Sequence, residues 1–150
     1  MKPIRWLAIP LICAAFLAGC ETARVAPETP PVSVDLAEKA ERSGDFLIAA
    51  REYTRLAEIA LPAKKQDFQL RATDNFLKAG QLREARGQIE LINVAALDSS
   101  FTARKRILQA RLASMEGTHE KAIRLLDEAS RVRNLNPSTL SDIHVARAQA

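Results

Sequence analysis

The chain has 150 residues, with 22 basic against 18 acidic side chains and a formal net charge of +4. Hydrophobic residues make up 47%, charged residues 27% and aromatics only 5%, the make-up of one small folded domain. These values exclude a disordered polyelectrolyte, a collagen, a multi-span membrane protein and, with only two cysteines, a disulfide-stapled scaffold.

Residues 1–20 read as an address rather than as part of the fold. Lys2 and Arg5 supply a positive leader, and residues 6–18 (WLAIPLICAAFLA) follow as an apolar stretch of 13 residues. That stretch falls short of the roughly 20 residues that span a bilayer as a helix. It ends in Leu17-Ala18-Gly19-Cys20, which matches the bacterial lipobox: small residues before a cysteine that is acylated and becomes the mature N-terminus. Cys20 is therefore the expected lipidation site. Glu21 rather than Asp after it favours the outer membrane over the inner. Removal of the leader takes Lys2 and Arg5 with it and leaves 20 basic against 18 acidic residues, a net +2. A balance so near zero gives no footing for a nucleic-acid partner. Cys13 leaves with the leader and Cys20 carries lipid, so no thiol remains for a disulfide even in the oxidising periplasm.

Residues 21–33 contain Pro27, Pro30 and Pro31 and no apolar period, and read as an extended tether. At about 3.1 Å per residue it reaches roughly 40 Å.

Residues 34–150 read as all-α. Period-3.6 apolar stripes run through Phe46, Ala49, Tyr53, Leu56 and Ala60, through Leu82, Ala85, Ile89 and Ile92, and through Phe101, Leu108, Leu112 and Met115. Ala122, Leu125, Leu126 and Ala129 form a fourth stripe. With Pro62 as a helix-opening proline, Asp98-Ser99 as caps and Pro137-Ser138 before the last helix, the spacing predicts helices near 35–43, 45–60, 63–79, 81–94, 99–116, 118–132 and 138–150. Ser99, Ser100 and Ser138 are read as caps rather than nucleophiles.

A repeat organises these helices. Gly44, Gly80 and Gly117 lie 36 and 37 residues apart. Five residues after each stands Ala (Ala49, Ala85, Ala122), nine after each a large apolar residue (Tyr53, Ile89, Leu126), and twelve after each Leu56, Ile92 or Ala129. Four before each stand Ala40, Phe76 and Ala113. Glycine ends a helix because it takes a left-handed conformation at little cost, and a small residue soon after lets two helices cross closely. This is the pattern of tetratricopeptide modules, so the fold expected is a superhelix of about three and a half antiparallel helix pairs.

The polar residues offer no catalytic constellation. His119 and His144 stand without clustered Cys or carboxylates at ligand spacing, so no metal is expected. No Gly-rich phosphate loop and no cofactor or small-molecule site is evident. Arg104, Lys105, Arg106 and Arg111 form a basic run on the fifth helix, read either as a solvated face or as a face for an acidic partner, glycan or lipid.

Two resemblances follow from these residues. The helix pairs resemble tetratricopeptide modules. The lipobox together with Phe76-Leu77-Lys78-Ala79-Gly80-Gln81-Leu82-Arg83-Glu84-Ala85-Arg86 resembles the N-terminal domain of the LppC (LpoA) family. Ile89-Glu90-Leu91-Ile92, Ala110-Arg111-Leu112-Ala113, Gly117 and Ala122-Ile123-Arg124-Leu125-Leu126 continue the likeness in order, across most of residues 35–150. The resemblance implies an outer-membrane lipoprotein on the periplasmic face. Such a protein regulates peptidoglycan synthesis by binding a bifunctional penicillin-binding protein and is not itself an enzyme. It also implies a second domain of periplasmic-binding-protein type, so the chain is expected to be the N-terminal part of a longer protein. Other tetratricopeptide lipoproteins, serving outer-membrane protein or pilus assembly, share such packing motifs and form the alternative. A lytic transglycosylase fragment would need a catalytic Glu in a lysozyme-like domain, and none is visible.

Overall fold

A computed structural model describes residues 31–94 and 98–150. The address, the lipobox residues Leu17, Ala18 and Gly19, the acceptor Cys20 and all but the last three residues of the tether lie outside the described residues. The described residues form seven α-helices and no strand: α1 (Val34–Ser43), α2 (Phe46–Ile59), α3 (Pro62–Lys78), α4 (Leu82–Leu91), α5 (Ser99–Met115), α6 (His119–Ser130) and α7 (Pro137–Gln149). Helix α1 packs on α2, α3 on α4 and α5 on α6, making three hairpins. The hairpins join where α2 lies along α3 and where α5 meets α3 and α4, and α7 closes against α5 and α6.

The three hairpin turns are the same object built three times. Gly44, Gly80 and Gly117 have φ of +83°, +70° and +75°. At each, the residue after the glycine donates its backbone N–H to the carbonyl five residues back: Asp45 to Ala40 (2.9 Å), Gln81 to Phe76 (2.8 Å) and Thr118 to Ala113 (2.8 Å). The glycine N–H donates to Glu41, Leu77 and Ser114 in turn. This is the Schellman closure, which satisfies the last carbonyls of a helix only if one residue turns left-handed. The next helix then starts at once, because the carbonyls of Asp45, Gln81 and Thr118 accept from Ala49, Ala85 and Ala122. All twelve repeat positions flanking the glycines are buried, and the three alanines have no exposed surface at all.

Helix starts have local causes. Pro62 and Pro137 occupy first-turn positions, where the missing N–H costs nothing. The caps are Asp98, whose carboxylate accepts from the Ser100 N–H (2.8 Å), and Asn136, whose Oδ1 accepts from the Thr139 N–H (2.8 Å). Ser99, Ser100 and Ser138 are thus helix residues beside the caps rather than the caps themselves. Hydrogen bonding to Ser100 also holds the Asp98 carboxyl below the usual carboxylate range.

The largest departure from the predicted bounds is at α4, which ends at Leu91 instead of near residue 94. Ile92 turns extended, its carbonyl accepts from Lys105 Nζ (2.6 Å), and the Asn93 N–H donates to Gln66 Oε1 (2.7 Å). Those tertiary partners take the groups that another helical turn would have used. Ile92 is nonetheless buried, and Val94 packs on the core from outside the helix.

Two apolar cores result. The first draws on α1–α4 and takes Leu108 and Leu112 from α5. The second is formed by Ile107, Ala110 and Ala113 of α5 with α6 and α7. Ile143 and Ala146 of α7 are buried in the second core, while Leu140 stays exposed.

Candidate functional site

Helices α1, α3, α5 and α7 bring polar side chains to one groove of about 390 Å³. Its lining includes Glu41, Arg71, Asp74, Arg104, Arg111 and Asp142 over an apolar floor of Leu70, Ile107 and Leu108. The charges alternate from helix to helix. Glu38 and Glu41 of α1 meet Arg71 (3.6 Å) and Lys78 (3.5 Å) of α3. Asp67 of α3 meets Arg104 of α5 (2.8 Å), and Asp74 pairs with Arg111. Within α3, Arg71 also reaches Asp67 (3.3 Å) and Lys78 reaches Asp74 (2.8 Å), so the ladder is continuous across three helices.

A buried knot anchors it. Tyr53 has no exposed surface, donates its hydroxyl to Glu41 Oε2 (3.0 Å) and accepts from Arg71 Nη1 (3.1 Å). Its ring stacks on Phe68 with centroids 6.1 Å apart, and the Arg71 guanidinium lies over the ring at 5.5 Å from its centroid. Asn75, also fully buried, donates to Glu41 Oε1 (3.2 Å) and to the Arg71 carbonyl (2.9 Å), while its Oδ1 has no hydrogen-bond partner. Burial pushes the Tyr53 hydroxyl up, and the Glu41 charge adds to it against the pull of Arg71. At Lys78 burial acts downward but is outweighed by Asp74 and Glu41, so its pKa lies above the ordinary lysine value.

The basic run of α5 does not form one surface. Arg104 and Arg111 line the groove and face Asp67 and Asp74. Lys105 turns back to the end of α4, where burial and the neighbouring Arg106 lower its pKa. Arg106 reaches Glu128 of α6 (3.1 Å). Consecutive helix residues point about 100° apart, so a run of three cations is split among three neighbours, whereas residues seven apart share a face. His119 and His144 are exposed on α6 and α7. Among the described residues no three His, Cys, Asp or Glu side chains gather as a metal site, and no helix is long and apolar enough to cross a membrane.

The groove residues missed in the sequence carried a signal of their own. Asp67 and Arg104, and likewise Asp74 and Arg111, lie 37 residues apart, the spacing of Gly80 and Gly117. A repeat offset applied to charges finds both pairs. No family model, curated protein or solved structure matches the chain.

Proposed function

We propose that this chain is a lipid-anchored binding scaffold: residues 1–20 an address ending at Cys20, residues 21–33 a tether, and residues 34–150 a tetratricopeptide-like superhelix. The observation that carries the reading is the thrice-repeated glycine turn with every flanking repeat position buried. A stack built this way presents one helix of each pair to a shared groove, which suits binding a protein segment rather than turning over a substrate. Acylation at Cys20 would hold it at the periplasmic face of the outer membrane, since several acyl chains together anchor stably. The likeness to the LppC family makes a bifunctional penicillin-binding protein the proposed partner and regulation of peptidoglycan synthesis the proposed role.

Each layer has its own test. Cys20→Ala should abolish fatty-acid labelling and membrane fractionation; continued outer-membrane location refutes the anchor. Pull-down of penicillin-binding proteins by the lipidated chain, with glycan polymerisation assayed alongside, should show binding and stimulation. Recovery of β-barrel assembly or pilus components in place of a synthase would move the role to the assembly of those structures.

A further inference from the structure

A second groove, of about 690 Å³, lies on another side of α3 and shares no lining residue with the charged one. It is bounded by the end of α2, the start of α3 and the end of α4. Among the described residues its charged lining is Glu58 and Lys65, one of each sign, and no aromatic side chain lines it. Gln69 lines it too, yet is only 4% exposed, and its Oε1 has no hydrogen-bond partner. Leu91 forms part of the rim, and Ile59 and Leu61 flank the lining residue Ala60. At 61%, 73% and 79% these are the three most exposed large hydrophobic residues among those described. A buried acceptor without a donor and a cluster of bare aliphatic side chains are each costly, and both point to a binding surface.

The molecule already uses this acceptor chemistry once. Gln66 Oε1 takes the backbone N–H of Asn93 (2.7 Å), just after the extended Ile92. Gln69 stands three residues further along the same helix, on the same face, a rise of about 4.5 Å. Neighbouring extended chains lie about 4.8 Å apart, so successive glutamines can serve successive backbones, and here one of the two is served. We propose that this groove takes an extended, uncharged peptide segment of a partner protein. A backbone N–H of that segment donates to Gln69 Oε1, and its aliphatic side chains rest on Ile59, Leu61 and Leu91. Main-chain hydrogen bonds of this kind give affinity, and the apolar rim gives side-chain preference. A lipid surface fits less well, because acyl chains offer no donor to Gln69 and the Glu58 and Lys65 charges cancel. A glycan fits less well, because it finds no aromatic face to stack on. The proposal goes beyond the binding-scaffold reading: it concerns another face, and it stands whether or not the charged groove binds anything.

Random heptapeptides displayed on phage and panned against the full-length chain are the probe. Panning should enrich uncharged sequences rich in Leu, Ile and Val, and the consensus, made as a capped peptide, should bind the chain in solution. Gln69→Met removes the acceptor and leaves a side chain of similar shape, so the variant should melt no lower than wild type while the consensus peptide binds about tenfold more weakly. Ile59→Ser/Leu61→Ser, at two exposed positions, should weaken binding by a similar factor, and Arg104→Gln in the charged groove should leave it unchanged. If Gln69→Met loses helical circular dichroism, the double serine variant decides in its place. No enrichment of uncharged peptides overturns the proposal. So does a consensus peptide that binds both variants as well as wild type, or one that Arg104→Gln releases. Failure of peptide binding together with flotation on phosphatidylethanolamine–phosphatidylglycerol vesicles that the double serine variant reduces would assign the rim to a lipid surface, and overturns it as well.

Discussion

Between α2 and α3 the chain buries Tyr53, Leu56 and Leu70 and stacks Phe68 on Tyr53, so the first two hairpins share one core. Between the second hairpin and α5 it commits two buried leucines and a set of part-exposed ion pairs, two from α3 and one from α4. The turns inside the hairpins are alike, yet the joints between hairpins are not. The reason lies in α4. It is ten residues long, buries only Ala85 and Ile89, and has Gly87 in its middle, where a side chain is absent and open space surrounds the position. α2 has fourteen residues and buries six. A repeat register thus sets where helices turn, while the side chains of each second helix decide how firmly one hairpin holds the next.

Large-to-small substitutions give the sharpest contrast. Tyr53→Ala should cost about 4 kcal/mol, in the range for deleting a buried aromatic, whereas Leu108→Ala at the second joint should cost about 2–3 kcal/mol. Urea unfolding of both variants checks this, and equal losses would erase the distinction between the joints. Gly80→Val tests the shared turn. No atom lies within 4 Å of the added Cβ, so the loss, about 2 kcal/mol, comes from backbone strain alone. Gly117→Val should lose a similar amount by thermal melting, and an unchanged melting temperature in either would count against equivalent turns. Gly87→Ala should act in the opposite direction. It should gain about 0.5–1 kcal/mol, because this glycine sits in a helix with open space around it, and a loss there would show that α4 needs its flexibility.

The smallest effect is alkaline and belongs to the first joint. Tyr53 and Lys78 both have raised pKa values against ordinary values of 10.0 and 10.5. Between unfolded and folded pKa the native chain holds the extra proton, so their contribution is full below about pH 10 and is lost as pH rises through the folded values. Lys105, with its lowered pKa, acts with the opposite sign at the second joint. Denaturation midpoints should therefore fall above pH 10, and Tyr53→Phe should flatten that fall.

Much of the architecture was legible in residue order. Seven helices with mostly close bounds and three glycine turns follow from apolar period and C-cap chemistry, both of which are local. The exit of the chain from helix at Ile92 was not legible, because Gln66 and Lys105 impose it from elsewhere in the fold. The basic run on α5 misled for a geometric reason: adjacency in sequence is divergence on a helix. The groove itself lies in pairs 37 residues apart, which no local window contains.

Native-state amide hydrogen exchange tests the unequal joints most directly, because it reports opening free energies helix by helix. The account predicts two groups, with buried amides of α2 and α3 exchanging slowest and those of α5 and α6 opening as a separate, less stable unit whose protection drops further in high salt. A single common opening free energy across α2, α3, α5 and α6, unmoved by salt, would contradict it.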